Sequence, residues 1–413
     1  MPHSVPRTIQ EECIMQRTEK YYENDPFLTR AEGRVLASGT DREGRVQLAL
    51  DGTVFYPEGG GQPADLGVLT LPDGRDLAVV DVHEQGGLIW HTLAPVPDAP
   101  LPDIAPGTPL TQQIDWDWRL DKMQQHTGEH ILSGLLHQMF GAENVGFHIG
   151  AGAVRMDTSV PISPEGLRQA ELAANQIIWQ DVPVRAWYPD KAQLEALCYR
   201  SKKPIEGAVR IVEIPGADVC ACCGTHVARS GQVGQIKILA SEHYKGGERL
   251  SVVCGRRALD AAVQMRAAQA DIGALLSAKP TETALAVHRL AEAHAALQYA
   301  HYGLCGQLFD ALAAAAVPGQ AAIHTLPGLD PDGLHRLAVR LTQATDGLCA
   351  ALTPTEKGTG YCLALASGDV RPLTRALNVA LNGRGGGKPG ICQGSCAASP
   401  EQVSAFIRQH LAD

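Results

Sequence analysis

DWDWRLDKMQQHTGEHILSGLLHQMF, residues 115 to 140, is the stretch on which the reading of the fold turns. Leu120, Met123, Thr127, Ile131, Leu135 and Met139 recur at steps of three and four behind an acidic start, which predicts a helix. Inside it His126 and His130 stand four apart, so their imidazoles leave one face about a turn from each other. That spacing lets two histidines share an ion, and it equally describes a satisfied surface pair. Working outward, DVCACCGTH, residues 218 to 226, gathers Cys220, Cys222, Cys223 and His226. Cys222 and His226 are also four apart, in a segment whose Gly224 allows a sharp turn. Two helical imidazoles with one thiolate and one further imidazole make a tetrahedral set of three nitrogens and one sulfur, suited to Zn²⁺. Cys220 and Cys223 are read as packing residues.

Around this centre the chain predicts an α+β protein of several domains. Its 413 residues exceed one ordinary core, and 45% apolar with 19% charged residues is a globular composition. From 1 to 110 the pattern is β-rich. GRVLASG, RVQLAL, GTVFYP and DLAVVDVHEQGGLIWHTL alternate between DREG, EGGGQP, PDG and QGG turns, predicting a small barrel or a strongly bent sheet. The Pro-rich run APVPDAPLPDIAPG, 94 to 107, is a candidate boundary.

From 111 to 255 the zinc-binding α+β domain is expected, with a second helix in SPEGLRQAELAANQIIWQ and strands in VPVRAWY, VRIVEI, GQIKILASE and LSVVCG. From 256 to 317 an Ala-rich pattern broken by SAKPTE predicts two antiparallel helices, an arm that either pairs two copies or spaces the ends. From 318 to 413 the chain returns to α/β, with AAIHTL, GLCAALTP and YCLALAS as strands and a glycine-rich GRGGGKPG read as a loop.

Composition narrows the classes of function. No segment offers eighteen uninterrupted apolar residues and MPHSVPRTIQEECIMQRTEK lacks a secretory core, so a cytoplasmic protein without a membrane span is expected. In a reducing compartment eleven scattered cysteines do not build a disulfide framework. A net charge of −10 excludes a uniformly basic surface, and any RNA must be held by a local patch. GRGGGKPG is not a phosphate loop of the Walker type, because Pro389 follows Lys388 where Ser or Thr is required.

HTGEHILS with CCGTHVARSGQVGQIKIL resembles the HxxxH and CxxxH motifs of the alanyl-tRNA synthetase editing domain and its free-standing AlaX relatives. GTVFYPEGGGQPADLG is similar to the family's glycine-rich segment, YYENDPFLTRAEGRVL to its first strand, and LNGRGGGKPGICQGSC with the helical arm to its C-Ala region. The resemblance implies a hydrolase that deacylates mischarged tRNA(Ala), chiefly Ser-tRNA(Ala) and also Gly-tRNA(Ala). It would act in trans, since the ATP-binding aminoacylation module has no room ahead of the editing segment.

By the same resemblance, Thr53 would read the serine hydroxyl, with a plain strand threonine as the alternative. The loop Gly59, Gly60, Gly61 and Gln62 would approach the ester or terminal ribose, with Gln62 counted among the catalytic residues, and Arg384 and Lys388 would touch RNA. Glu129 is a candidate base. Cys223 departs from the family's Cys-Gly-Gly-Thr-His, which bears on the choice of acyl group. Two competitors stay open. His126-Thr-Gly-Glu129-His130 also fits the H-x-x-E-H pattern of inverzincin peptidases, with Glu206 or Glu213 as a distant ligand. The other is a non-catalytic tRNA-binding module with structural zinc.

Overall fold

A computed structural model describes residues 17–95, 104–201 and 207–412, in two compact units that divide between Ala268 and Gln269. The N-terminal segment, most of the Pro-rich run and Glu206 therefore lie outside the described residues.

The first unit opens with a closed six-stranded barrel. Its strands are β1 (Arg30–Thr40), β2 (Val46–Leu50), β3 (Gly67–Thr70), β4 (Asp76–Gln85), β5 (Leu88–Leu93) and β6 (Pro109–Ile114). They close in the order β1-β2-β5-β4-β3-β6. Alternation places Leu48, Leu50, Leu69, Val82, Ile89 and Leu93 in one interior, none of them exposed. The sixth strand lies beyond the Pro-rich run, so that run is an insertion within the barrel's chain path and does not end the β region. In GTVFYP, predicted as a strand, extended pairing is confined to Gly52–Thr53, which runs parallel to Glu19–Lys20.

Next comes α1 (Trp116–Phe140), capped by the Asp115 carboxylate, which accepts from the Trp118 N–H at 3.1 Å. Residues 125 to 136 of α1 are all buried. Packed about it are a four-stranded and a three-stranded sheet. They use β7 (Asn144–Ile149), β8 (Val154–Thr158), β9 (Arg185–Trp187), β10 (Ile211–Ile214), β11 (Asp218–Ala221), β12 (Ile236–Tyr244) and β13 (Gly247–Cys254). The orders are β12-β13-β8-β7 and β9-β10-β11. The predicted second helix is α2 (Pro164–Gln180), with Ser163 Oγ accepting from Gly166 N–H at 3.1 Å.

Barrel and helix are joined by a buried ion pair. Asp65 and Arg119 are 0% exposed, and the guanidinium also donates to the carbonyls of Pro26 (2.7 Å) and Val54 (2.6 Å). Asp65 in turn accepts from Tyr56 N–H at 2.6 Å, so one carboxylate fixes both ends of the glycine-rich segment against α1.

The long Ala-rich helices are α3 (Arg256–Leu276) and α4 (Thr283–Ala314), joined through a 3₁₀ turn at Pro280–Glu282. The second unit then builds a five-stranded sheet from β14 (Ala322–Thr325), β15 (Cys349–Thr355), β16 (Gly358–Ala364), β17 (Gly383–Lys388) and β18 (Ile391–Cys396). The order is β14-β15-β16-β18-β17. Helices α5 (Pro331–Leu341), α6 (Arg371–Ala380) and α7 (Pro400–Ala412) complete it. GRGGGKPG, expected as a loop, forms edge strand β17 and the turn after it, because β18 pairs with it along its whole length from Gly383↔Cys396 to Lys388↔Ile391. No helix among the described residues is long and apolar enough to cross a membrane.

Candidate metal centre

His126 and His130 from α1 and Cys222 and His226 from the segment after β11 offer four ligand atoms, all within 4.8 Å of one another. The imidazole Nε2 atoms of His126 and His226 lie 3.5 and 3.4 Å from Cys222 Sγ. Bonds of about 2.0–2.1 Å to nitrogen and 2.3 Å to sulfur around a tetrahedral ion imply an N···S edge of about 3.5 Å. The spacing of the side chains is thus that of a shared first shell.

Each imidazole has its other nitrogen occupied, which turns Nε2 towards the common centre. His126 Nδ1 lies 2.8 Å from Gln62 Oε1, His130 Nδ1 lies 2.9 Å from Asp218 Oδ2, and His226 Nδ1 lies 3.1 Å from Thr127 Oγ1. The three partners come from the glycine-rich segment, β11 and α1. Gln62 is itself fixed by Thr225, whose N–H donates to Oε1 at 3.1 Å and whose hydroxyl accepts from Nε2 at 2.8 Å. Asp218 is held by the Arg200 guanidinium. Gly224 is required by contact: a Cβ there would lie 2.2 Å from the His126 ring.

The buried groups bias one another's protonation. Burial works against a Cys222 thiolate, yet His126 and His130 facing it pull its pKa well below the ordinary thiol value. Burial also opposes charge on His130, but Cys222 and Asp218 hold its pKa well above the usual one. His226 is pushed down to about 3 by burial and by His126, so it stands neutral with its lone pair available. Three nitrogens, one sulfur and orienting partners on every imidazole fit Zn²⁺ and give no reason to prefer a harder, oxygen-seeking ion. A second grouping, His130 with Asp218 and Cys220, shares His130 and is wholly buried, whereas Cys222 in the first is half-buried.

The other expected residues are distributed around this centre. Gln62 is 0% exposed and spends its amide on His126 and Thr225, which makes it an orienting group for a ligand. Gly59 and Gln62 exchange backbone hydrogen bonds at 3.1 and 2.9 Å. The glycine run is thus a tight turn with Gly60 and Gly61 at φ +58° and +85°, where a side chain is strained.

Thr53 is also 0% exposed. Its hydroxyl lies 2.8 Å from His91 Nε2 and 3.0 Å from Gln112 Oε1, and accepts from Phe55 N–H at 3.0 Å. Glu129 is buried and accepts from the Asn144 amide. Cys220 is buried as expected, whereas Cys223 is exposed and is not a packing residue. Arg384 and Lys388 lie exposed on β17. Glu213 is in neither metal grouping among the described residues, which leaves the peptidase pattern without its distant ligand there.

Sequence reading missed Asp65, Arg119, Thr127, Arg200 and Asp218. The available signal was the ionisable residue inside each motif, Asp65 in GGGQPAD and Asp218 four before Cys222.

The chain also resembles known proteins. Residues 209–251 match the family described as threonyl and alanyl tRNA synthetase second additional domain, a span that includes Cys222 and His226. The alanyl-tRNA editing protein AlaX-L of Pyrococcus horikoshii is 34% identical over 246 residues, covering 58% of this chain and 59% of that protein. The alanine–tRNA ligase of Natronomonas pharaonis is 34% identical over 292 residues, 67% of this chain and 30% of the ligase. That of Pyrococcus abyssi is 37% identical over 254 residues, 59% and 27% respectively. The chain therefore spans less than two thirds of AlaX-L and less than one third of the two ligases. Among solved structures, the C-Ala domain of Aquifex aeolicus alanyl-tRNA synthetase matches 22% of this chain and 91% of that domain, at 17% identity and a TM-score of 0.21. Over more than half of its length the chain is thus similar to AlaX-L and to the alanine–tRNA ligases.

Proposed function

We propose that this protein is a zinc-dependent hydrolase that removes the wrong amino acid from mischarged tRNA(Ala), serine chiefly and glycine also, acting in trans. One observation carries the reading: two imidazoles from α1 and a thiolate and imidazole from a sequence-distant segment converge at ligand distance, in a chain related to AlaX-L.

The chemistry has a clear need. A pocket for alanine rejects serine or glycine weakly, since one small group changes binding by about 1–3 kcal/mol. A second site that reads the hydroxyl reverses the discrimination, because a polar group left unpaired by alanine is costly. With all four side chains bound, zinc would have no open position and would orient the substrate's amino group or hydroxyl; it would polarise the attacking water directly only where one of the four left it. The chain's own parts would do the rest. Gln62, Thr127 and Asp218 hold the three imidazoles in their ligating tautomer. The turn Gly59, Gly60 and Gly61 admits the terminal ribose, and Glu129 is assigned as the base for the water's proton. Thr53, with three partners already on its hydroxyl, reads a serine hydroxyl by releasing its contact with Gln112. In the second unit Arg384 and Lys388 contact RNA phosphate, and the exposed apolar face of α4 pairs two chains.

Incubating the purified protein separately with Ser-, Gly- and Ala-tRNA(Ala) and following ester loss tests the reading. Serine should be released fastest, glycine next and alanine spared. Inertness towards all three contradicts it.

A further inference from the structure

The side chain that fixes Asp218 has no part in the proposed function, yet its geometry is that of a component of the metal centre. Arg200 lies on the segment before β10, and its backbone is annexed to β11. Its N–H donates to the Val219 carbonyl at 2.8 Å and its carbonyl accepts from Ala221 N–H at 2.9 Å. Its guanidinium forks onto Asp218, Nε to Oδ1 at 2.9 Å and Nη2 to Oδ2 at 3.0 Å. The same Nη2 donates to Ser133 Oγ at 2.8 Å, three residues along α1 from His130. Asp218 Oδ2, shared with this fork, is the oxygen that faces His130 Nδ1 at 2.9 Å. One guanidinium thus ties together the helix that carries two ligands, the strand that leads into Cys222, and the carboxylate that aims His130.

We propose that Arg200 is a positioning residue for the metal centre: its fork on Asp218 and its anchor on Ser133 set the orientation of His130 and so the lifetime of the bound ion. A planar two-donor fork fixes the plane of a carboxylate, which a point charge does not. Loss of the fork frees a carboxylate whose side chain is 2% exposed, and it then rotates or turns to other partners. The His130 ring loses its fixed tautomer partner, and residues that orient a ligand in this way change metal affinity by about 10- to 100-fold when removed. Arg200 touches neither the ligand atoms nor the site of reaction. The inference rests on the reading of His126, His130, Cys222 and His226 as one zinc site.

The test measures zinc transfer from the full chain to a chromophoric chelator in excess, and the visible absorption of the Co²⁺-loaded protein. Arg200→Met should fold, keep one zinc per chain, release it about tenfold or more faster than wild type, and shift the Co²⁺ bands. Arg200→Lys should lie between the two. Arg249→Met serves as the control: it removes a comparable fork, on Asp157 at 2.7 Å through each nitrogen, with no link to the ligands, and should release zinc as wild type does. Wild-type release and an unchanged Co²⁺ spectrum in Arg200→Met overturn the proposal while leaving the zinc site intact. If Arg200→Met does not fold, wild-type release from Arg200→Lys overturns it in the same way. A wild-type protein that holds neither zinc nor Co²⁺ overturns the site reading itself, and the proposal with it.

Discussion

Helices α1 and α4 reverse the usual relation between polarity and burial. Helix α1 carries Gln125, His126, Thr127, Glu129 and His130 in one run, and from residue 125 to 136 every one of its side chains is buried. Helix α4 reads VHRLAEAHAALQYAHYGL from 287 to 304, with Arg289 and Glu292 as its charged members apart from histidine, and every one of those residues is exposed. The difference lies in partners. Each buried polar group on α1 meets another polar group: Gln125 the Cys254 backbone, His126 Gln62, Thr127 His226, Glu129 Asn144 and His130 Asp218. Burial of such groups is tolerable when satisfied and costly when not. On α4, Leu290, Leu297 and Leu304 recur at steps of seven and are 56%, 69% and 66% exposed. Steps of seven keep the three leucines on one helix face, which the proposed second chain would cover.

The largest effect should come from breaking α1 at its ligands. His126→Ala or Cys222→Ala should lose zinc and lower Ser-tRNA(Ala) deacylation about 10³-fold, whereas Leu297→Ala on α4 should leave the rate unchanged. Glu129→Gln, if the carboxylate is the base, should lower kcat about 10²-fold with zinc retained. Arg119→Met strands the Asp65 carboxylate in the interior, and thermal unfolding should register a loss of about 3–5 kcal/mol. On the exposed helix, the double change Leu290→Glu and Leu297→Glu should convert a dimer into a folded monomer by light scattering on a sizing column. A wild type that is already monomeric refutes the proposed seam. Smallest of all, Thr53→Val should reduce the preference for serine over alanine about tenfold, read as the ratio of kcat/KM values.

What the sequence disclosed followed the range of each signal. The barrel was legible because strand alternation is local, yet β6 was passed over, since PLTQQI turns Gln112 inwards, where it serves Thr53, Val54 and Gly52. The four converging side chains were legible because both pairs repeat at a spacing of four. Their orienting partners were not, since Gln62 and His126 are 64 residues apart and His130 and Asp218 are 88 apart. No periodicity links such positions. Strand β17 was hidden by its glycines. Gly385 and Gly387 permit the approach to β18, where a Cβ would come within 2.4 Å of the Gln393 carbonyl and 2.2 Å of that of Ile391. A glycine run nonetheless reads locally as a turn. The exposure of α4 was likewise beyond reach, because helical spacing reports an apolar face and not what lies against it.

Zinc K-edge X-ray absorption on the purified chain, with metal content measured on the same sample, tests the central claim most directly. The account predicts one zinc per chain with three nitrogen neighbours at about 2.0–2.1 Å and one sulfur at about 2.3 Å, and loss of the sulfur shell in Cys222→Ser. A chain that carries no zinc, or a shell with no sulfur in the wild type, would contradict it.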